Sequence, residues 1–494
     1  MKKYMLALDL GTTSIRAIVF DKASNVVAKE QKEFTQFFPH AGWVEQDGEE
    51  IWQTLQTVVA NLMVNQHISL DDIESIGITN QRETTILWDT KTGLPIYRAI
   101  VWQSMQTNSI CENWKELGYE TLVKKKTGLP INPYFSASKI RWILDHVNGA
   151  KEKLAAGDLR FGTIDSWILW KLSGVHKTDV SNASRTMLYN IFDLTWDEEL
   201  CELFAVDSSL LPLVCDSSTY FATTKPNAFF QHEIPITGIA GDQQASMFGH
   251  ACFEPGIVKN TYGTGCFLLM NVKDKPYLSE NGLLTTVAWS IDGVVDYAIE
   301  GSIFVAGSAV QWLRDALQII SSSAESEELA RNAKTDHDVY FVPAFVGLGS
   351  PYWDSDAKGT IFGLTRGAGR AELARATLDS IAYQTRDVLE VMMEESHQEI
   401  YRLRVDGGAS ENALLMQFQA DITNTDIDVA HIGETTALGV AYLAGLARGF
   451  WQSQSEILQY RQVKKSYHGN MNEETRQKLY RKWKKAVAAT ILFK

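Results

Sequence analysis

Tyr4-Met5-Leu6-Ala7-Leu8-Asp9-Leu10-Gly11-Thr12-Thr13-Ser14 is the segment most informative about the fold. It lies near the start of the chain and predicts an apolar strand that ends in a Gly-Thr turn. A returning strand is predicted at residues 15–20 and a third through Val26-Val27. After Asp47, a candidate N-cap, apolar residues recur at spacings of four, three and four, which predicts a packed helix: Ile51, Leu55, Val58 and Leu62.

The same order of elements returns in the second half of the chain. Residues 259–261 lead into the turn Tyr262-Gly263-Thr264-Gly265. Three strands and the apolar face of a helix are predicted after it: 266–271, 283–291, 294–300, and Val310, Leu313 and Leu317. The repetition predicts a duplicated α/β unit facing itself across a cleft, with the boundary near Phe253-Glu254-Pro255-Gly256.

The composition is that of a folded globular chain. The 494 residues carry 46 Lys plus Arg against 60 Asp plus Glu, a net charge of −14, and this length predicts two or more domains. Hydrophobic residues make up 45%, and 14 Trp, 17 Tyr and 21 Phe are too many apolar rings for a disordered chain. The acidic balance argues against non-specific nucleic-acid binding, which needs a basic surface.

Several features favour a cytoplasmic enzyme. The first residues lack the apolar core and cleavage site of a signal peptide. The longest run of small or apolar residues, 437–447, is shorter than the roughly 18 residues of a membrane helix, so we expect no integral membrane segment. The five cysteines are widely spaced without a C-x-x-C pair, which predicts reduced thiols and no metal site.

Three glycine-rich segments follow predicted strands: Asp9-Leu10-Gly11-Thr12-Thr13, Tyr262-Gly263-Thr264-Gly265 and Asp406-Gly407-Gly408-Ala409. Glycine lets backbone N–H groups approach a phosphate, and threonine hydroxyls add donors. None matches a Walker A loop or G-x-G-x-x-G, and each alone is more typical of an ordinary turn. In this order and spacing, the three together resemble the two phosphate loops and the adenosine loop of the actin, hexokinase and heat-shock ATPase superfamily.

Further motifs narrow the resemblance. The chain carries Thr79-Asn80-Gln81-Arg82-Glu83-Thr84, Val101-Trp102-Gln103, Tyr134-Phe135-Ser136-Ala137-Ser138-Lys139 and Ala240-Gly241-Asp242-Gln243-Gln244. These segments resemble the sugar and polyol kinases of the FGGY family, and most closely the members that phosphorylate glycerol. The likeness covers essentially the whole chain.

The resemblance implies an α/β fold with two ribonuclease H-like domains of the actin and hexokinase superfamily around a central cleft. Residues 1–252 would form the N-terminal domain, which binds glycerol and phosphate, and residues 253–494 the C-terminal, nucleotide-binding domain. The implied reaction is ATP- and Mg²⁺-dependent phosphorylation of glycerol to sn-glycerol 3-phosphate in glycerol uptake and catabolism. A homodimer or homotetramer is also implied.

Two alternatives stay open. One is an FGGY kinase for another polyol or sugar, against which Asn80-Gln81-Arg82-Glu83-Thr84 and Trp102-Gln103 speak. The other is an actin-like or chaperone-like ATPase, which would have a water-positioning site and no compact polyol pocket.

The transfer of a phosphoryl group to an alcohol needs a carboxylate near the acceptor hydroxyl, which loses its proton as it attacks. By resemblance this base is Asp242, at the end of the apolar run 234–240. The residues alone leave open that Asp242 caps a helix starting at Gln243, and one residue can do both.

Arg82 and Glu83 suit a polyol because a guanidinium donates to hydroxyls and a carboxylate accepts from them. By resemblance they belong to a glycerol-binding set in which an indole packs the carbon face: Arg82, Glu83, Tyr134, Asp242 and Gln243, with Trp102. The alternative is a solvated surface pair, which fits less well directly after the apolar run 73–78.

For the nucleotide, the resemblance implies phosphate contacts from both domains, with the ribose and adenine held by the second. The phosphate contacts would come from Thr12, Thr13, Ser14 and Arg16 in the first domain and from Thr264 in the second. The residues around the ribose and adenine would be Gly307, Gln311, Gly408 and Asn412. Asp9 is implied as the partner of Mg²⁺, through water. Gly307 lies in a helical pattern, and either nucleotide approach or tight helix packing explains it.

The chain also departs from the family pattern. Leu10 and Ile15 replace the usual Gln and Ser, and Ser104-Met105-Gln106 follows Trp102-Gln103 where an Arg is usual. The lost Arg bears on the charge balance of the glycerol pocket and so on substrate preference. Residues 228–233 lack the Gly- and Arg-rich loop that binds fructose 1,6-bisphosphate in some relatives, and His232 is interpreted as a surface residue.

Overall fold

The computed structural model describes residues 3–335 and 337–493. Thirteen strands form one continuous sheet. In chain order they are β1 Tyr4–Leu10, β2 Ser14–Phe20, β3 Val26–Glu33, β4 Ile73–Asn80, β5 Ser218–Thr223, β6 Pro235–Gly241, β7 Ile257–Tyr262, β8 Cys266–Lys273, β9 Leu284–Ile291, β10 Val294–Ile303, β11 Arg402–Asp406, β12 Asp426–Ala430 and β13 Val463–Tyr467. Their order across the sheet is β13-β12-β11-β7-β8-β10-β9-β5-β6-β4-β1-β2-β3.

Sixteen helices of the described residues surround this sheet. They are α1 Gly48–Asn65, α2 Asn108–Glu116, α3 Glu120–Thr127, α4 Ser136–His146, α5 Ala150–Ala155, α6 Ile164–Ser173, α7 Val180–Ala183, α8 Glu198–Leu203, α9 Asp242–Gly249, α10 Gly307–Asp315, α11 Glu325–Arg331, α12 Arg370–Ser396, α13 Ala413–Thr423, α14 Thr435–Ala447, α15 Gln454–Tyr460 and α16 Glu473–Leu492.

Short strands and 3₁₀ turns fill the connections. The strand groups are Glu45–Gln46 with Ala99–Ile100, Ile86–Asp89 with Leu94–Pro95 and Leu159–Gly162, Lys177–Asp179 with Leu213–Cys215, Tyr189–Asn190 with Thr195–Trp196, and Tyr340–Val342 with Thr360–Phe362. The 3₁₀ turns are Leu70–Asp72, Ser208–Leu210 and Gly408–Glu411.

The two halves of the sheet repeat one topology. In the first half, β1 pairs antiparallel with β2 and parallel with β4, which pairs parallel with β6. In the second half, β7 pairs antiparallel with β8 and parallel with β11, which pairs parallel with β12. The sequence prediction of a duplicated α/β unit is confirmed, because each half places a meander beside parallel strands in the same order.

Helix α14, which is rich in small residues, packs where the two halves of the sheet meet. Strands β5 and β9 pair in parallel through the bridge Ser218↔Ile291. Helix α14, from the second half, lies on α9 and on first-half strands, where Ser218 Oγ donates to the Leu443 carbonyl. Gly439 allows this approach, since a Cβ there would collide with the backbone of Ala245. The apolar run of residues 437–447 is therefore a buried helix between the halves.

Most predicted strands lie within three residues of the expected bounds, and one helix is shorter. Asp47 caps α1, with Oδ1 accepting from the Glu49 N–H at 2.8 Å, as the sequence suggested. The prediction that Leu317 extends the face of α10 is wrong. The helix ends at Asp315, Gln318 takes a left-handed φ of 54°, and Leu317 is exposed.

Other sequence expectations concern membrane contact and metal binding. Among the described residues, no helix combines the length and apolarity needed to cross a bilayer. The same residues contain no group of three or more His, Cys, Asp or Glu side chains placed to hold a metal ion. All five cysteines are free thiols, and four are buried.

Candidate active site

The carboxyl ends of three neighbouring parallel strands meet at one edge of the first half-sheet. Leu10 of β1 is in register with Asn80 of β4, and Asn80 is in register with Gly241 of β6. The residues that follow these three ends are the Gly11 turn, the Arg82-Glu83 pair and Asp242. Sheet register therefore brings together segments that are distant in sequence.

Arg82 is buried, which excludes the interpretation as a solvated surface pair. Its guanidinium binds the Glu300 carboxylate of β10 through both terminal nitrogens, Nη1 to Oε2 at 2.6 Å and Nη2 to Oε1 at 2.9 Å. Both side chains are at most 2% exposed. A two-pronged bond of this kind fixes the plane of the guanidinium, so the second half of the chain orients a first-half side chain.

Glu83 is held by a second buried arginine. Arg185 Nε donates to Glu83 Oε1 at 2.6 Å, and Arg185 Nη2 lies 3.3 Å from Glu300 Oε1. Glu83 also has a left-handed φ of 60°, which is strained for a side chain of this kind. Two arginines and two glutamates thus form a closed buried network, and their formal charges cancel.

Asp242 lies at the open side of this network. Its Oδ1 is 3.3 Å from Arg82 Nε and accepts from the Gln243 N–H at 2.8 Å, while 31% of its side chain is exposed. Asp242 is the first residue of α9, and the cap position belongs to Gly241. Asp242 is therefore not the cap residue of α9 and makes only the one local hydrogen bond to the Gln243 N–H. Its carboxylate stays accessible beside the Arg82 guanidinium, which Glu300 holds in place.

Two aromatic rings lie beside the Gly-Thr turn of the first half. Trp102 and Tyr134 meet edge to face with ring centres 5.5 Å apart. Trp102 Nε1 donates to the Thr12 hydroxyl at 3.0 Å, and its backbone N–H donates to the Thr84 hydroxyl. The indole is thereby tied to both predicted binding segments, which suits a ring that covers one side of a small substrate.

The turn after β1 is a tight, partly open loop. The Gly11 N–H donates to the Ser14 carbonyl at 3.1 Å, and Thr13 is exposed. Ser14 is buried, and its hydroxyl accepts from Gln31 Nε2 at 3.2 Å. Arg16, opposite Asp9 in the hairpin, points Nη1 between Asp9 at 3.4 Å and Glu434 at 3.5 Å.

Asp9 is a buried carboxylate that shares one cation, Arg16, with Glu434. Burial raises its pKa to about 6; Arg16 opposes this shift, and Asp242 and Glu434 add to it. A carboxylate in this position would be stabilised by a bound cation, and Mg²⁺ prefers such oxygen ligands. The residues present therefore fit the metal that the sequence implied.

The second Gly-Thr turn closes against the start of α10. The Gly263 N–H donates to the Gly265 carbonyl at 2.8 Å, and the Thr264 carbonyl accepts from the Ala306 N–H at 2.9 Å. Thr264 is exposed. A Cβ at Gly307 would lie 2.5 Å from the Gly263 carbonyl oxygen, so tight packing alone requires glycine there.

The remaining predicted nucleotide residues lie on α10, in the turn Gly408–Glu411 and at the start of α13, all in the second half. Gln311 is exposed on α10, and its side chain has no hydrogen bond to any residue that the structure describes. Asn412 caps α13 through Oδ1, which accepts from the Leu415 N–H at 2.9 Å. A Cβ at Gly408 would meet nothing within 4 Å. Packing of the chain does not require glycine at 408, in contrast to 307.

Sequence reasoning missed three charged residues of this site: Arg185, Glu300 and Lys259. Each is fully buried. Lys259 Nζ donates to Gln243 Oε1 at 2.5 Å, which joins β7 to the predicted glycerol residue Gln243. One sequence signal could have found these residues. Each is a single charged residue within or next to an apolar run, a rare position for Arg, Glu and Lys.

The departures from the family pattern lie outside this network. Leu10 and Ile15 are buried in the first-half core, and Met105 is 52% exposed. The second guanidinium at the pocket comes from Arg185. His232 is half-buried, with Nδ1 2.7 Å from the Phe230 carbonyl and Nε2 3.4 Å from Asp71, so it is less exposed than the sequence suggested.

Comparison with known proteins assigns both halves of the chain. Residues 4–249 match the FGGY family of carbohydrate kinases, N-terminal domain, and residues 258–448 match the C-terminal domain of the same family. A glycerol kinase of Staphylococcus haemolyticus is 58% identical over 100% of this chain and 99% of its own length. One of Bacillus subtilis is 55% identical and covers 100% of both chains.

A solved structure agrees with these matches. The crystal structure of Plasmodium falciparum glycerol kinase with ADP superimposes with a TM-score of 0.93 at 37% identity, covering 99% of this chain and 98% of that one. A xylulose kinase from Lactobacillus acidophilus has the same fold, with a TM-score of 0.89 at 24% identity and the same coverage. The expected fold, two ribonuclease H-like domains around a cleft, is confirmed.

Proposed function

The chain belongs to the FGGY family of carbohydrate kinases, and from that premise we propose that it transfers the γ-phosphoryl group of ATP to glycerol, forming sn-glycerol 3-phosphate. Kinases named for glycerol match the chain at 55–58% identity over nearly its full length. The xylulose kinase match at 24% identity supports the shared fold and no other substrate.

The observation that carries the proposal is the charge-balanced network behind Asp242. Arg82, Arg185 and Lys259 balance Glu83, Glu300 and Asp242 in formal charge, so these six side chains offer donors and acceptors without a net charge. An uncharged polyol suits such a site, because a charged substrate would be buried without a counter-charge.

Asp242 is proposed as the general base. Its carboxylate is accessible and held by Arg82, so it can accept the proton of the attacking hydroxyl while staying fixed. Arg82 and Glu83 would bind the neighbouring hydroxyls, with Tyr134 and Gln243 beside them and Trp102 over the carbon face. The resemblance and the contacts described above support these proposed roles.

The nucleotide is proposed to lie between the two Gly-Thr turns. Thr12, Thr13, Ser14 and Arg16 would meet the phosphates from the first half and Thr264 from the second. Gly307, Gln311, Gly408 and Asn412 would surround the ribose and adenine, and the open space at Gly408 supports close approach of a ring. Asp9 would hold Mg²⁺, which neutralises phosphate charge when bound.

The test is product formation by the purified full-length chain. With ATP, Mg²⁺ and glycerol we expect stoichiometric ADP and a phosphomonoester that glycerol-3-phosphate dehydrogenase oxidises. Omission of glycerol should reduce ADP formation to near background, and xylulose should not replace it. ADP release at equal rates with and without glycerol would support the ATPase alternative and overturn the proposal.

Three properties stay predictions: the assembly that the resemblance implies, the cytoplasmic location that the sequence features favour, and the domain boundary. Assembly as a homodimer or homotetramer would be tested by sedimentation velocity on the purified chain, and a cytoplasmic location by fractionation of cells that express it. The domain boundary near residues 252–253 is also a prediction, which limited proteolysis between the halves would test.

A further inference from the structure

Lys259 is a fully buried lysine within an apolar strand. It lies on β7, three residues before Tyr262 and the second Gly-Thr turn. Burial lowers its pKa to about 8, and Asp406 and Asp242 oppose that shift. A lysine in such a place needs hydrogen-bond acceptors around its ammonium group, because an unpaired buried charge is costly.

The acceptors of Lys259 are an amide and a carbonyl. Nζ donates to Gln243 Oε1 at 2.5 Å and to the Phe267 carbonyl at 3.3 Å. A lysine ammonium has three donors and no acceptor, so only the oxygen of an amide can face it. Lys259 therefore determines which end of the Gln243 amide points toward β7.

The opposite end of that amide is a free donor. Gln243 Nε2 has no hydrogen-bond acceptor among the residues that the structure describes, and Gln243 is only partly buried. Gln243 follows Asp242, the proposed base, in the first turn of α9. When one substrate hydroxyl gives its proton to Asp242, a second hydroxyl of the same polyol can accept a hydrogen bond from the neighbouring amide.

We propose that Lys259 is a positioning residue that turns the Gln243 amide so that Nε2 donates to a hydroxyl of the polyol beside Asp242. This inference rests on the proposed function, since it specifies how that site recognises its substrate. It also links the halves, because the second half sets the hydrogen-bonding pattern of a residue at the end of a first-half strand.

A purely structural role for Lys259 makes a different prediction. If the lysine only fills space between β7 and α9, its loss lowers stability and lowers activity toward every polyol alike. If it orients Gln243, its loss acts on KM for glycerol, leaves kcat and the KM for ATP nearly unchanged, and has no further effect once Gln243 is gone.

The test is a double-mutant cycle with Lys259→Met and Gln243→Ala, measured in the full-length chain. Loss of one neutral hydrogen bond corresponds to a rise in KM for glycerol of roughly 3- to 10-fold. We expect Lys259→Met and Gln243→Ala each to show that rise, and the double variant to show no more than Gln243→Ala alone. Additive effects in the cycle would overturn the inference.

A third variant keeps the test valid if Lys259→Met unfolds. Gln243→Glu preserves an acceptor for Lys259 but cannot donate, so KM for glycerol should rise while thermal stability is retained. Unchanged KM in Gln243→Glu would contradict the inference. The matched control is Lys177→Met, a half-buried lysine whose Nζ donates to the Phe221 carbonyl away from the site.

The wild-type chain is measured first in the same assay. Failure of the wild type to phosphorylate glycerol would overturn the proposed function itself, and this outcome differs from an active wild type with an additive cycle. Propane-1,2-diol and propane-1,3-diol, each lacking one hydroxyl, serve as further substrates. The diol that lacks the hydroxyl bound by Gln243 should be used equally well by wild type and Lys259→Met.

Discussion

Glu300→Gln is the substitution that tests the buried network most sharply. The side chain is fully buried and binds Arg82 at 2.6 and 2.9 Å. Glutamine has one acceptor oxygen, and its amide nitrogen would face guanidinium donors, so at least one of these bonds is lost. Removal of one partner from a buried ion pair costs about 3–5 kcal/mol of stability.

The effect on catalysis follows from the freedom that Arg82 gains. If the guanidinium no longer holds its plane, one charge-assisted hydrogen bond to the polyol is lost, which is worth about 1.5–3 kcal/mol. The kcat/KM for glycerol should therefore fall about 10- to 150-fold, with KM for ATP within about twofold of wild type. Steady-state kinetics at fixed saturating ATP measures the first quantity, and urea unfolding measures stability.

The matched control is Glu254→Gln, on the surface of the same half. Glu254 is 67% exposed and 3.6 Å from Lys273, so its loss should change stability by less than about 0.5 kcal/mol and leave kinetics unaltered. A Glu300→Gln protein whose kcat/KM for glycerol equals that of this control would refute the account of the network.

The pH dependence of stability provides a second check on Glu300. Burial would raise its pKa, but Arg185 and Arg82 lower it from 4.5 to about 2. A carboxylate with a depressed native pKa stabilises the fold fully above its unfolded pKa and loses that contribution as pH falls toward the native value. The stability difference between wild type and Glu300→Gln should therefore narrow between about pH 4.5 and pH 2.

Three further predictions concern the cleft, the surface loop and the nucleotide. Because the two turns proposed to bind phosphate belong to different halves, glycerol with a non-hydrolysable ATP analogue should reduce the radius of gyration in small-angle scattering; an unchanged radius at saturation would contradict closure. Fructose 1,6-bisphosphate should leave activity unaffected at concentrations that inhibit relatives with the Gly-Arg loop, and inhibition abolished by changes in residues 228–233 would contradict this. Gly408→Leu should raise KM for ATP at least tenfold with stability retained, since a Cβ there would meet no heavy atom within 4 Å; unchanged KM would remove Gly408 from the adenine site.

The sequence predicts the sheet well because strand and turn signals are local. Tyr4–Leu10 has the predicted bounds, and the Gly-Thr turns connect antiparallel neighbours in both halves as expected. Leu317 shows the limit of periodicity: the apolar spacing continues after the helix has ended, because a left-handed residue at Gln318 redirects the chain.

In the site, too, the residues in local motifs could be predicted from the sequence and the residues placed by long-range packing could not. Arg82, Glu83 and Asp242 stand in recognisable motifs, and sheet register brings them together as the resemblance implied. Glu300 and Arg185 stand in no motif, and their roles depend on packing between segments 218 and 102 positions away from Arg82 and Glu83. Long-range pairing of this kind leaves no periodic signal in the sequence.

The rate of Asp242→Asn with both substrates saturating tests the central claim most directly. Asparagine keeps the shape of the side chain but cannot accept the hydroxyl proton, and general-base catalysis contributes roughly 10²- to 10⁴-fold. The account predicts that kcat falls by that factor, while KM for ATP and the unfolding midpoint stay near wild type, because the side chain is 31% exposed and its neighbours remain. A folded Asp242→Asn protein that turns over glycerol and ATP at close to the wild-type rate would contradict the account.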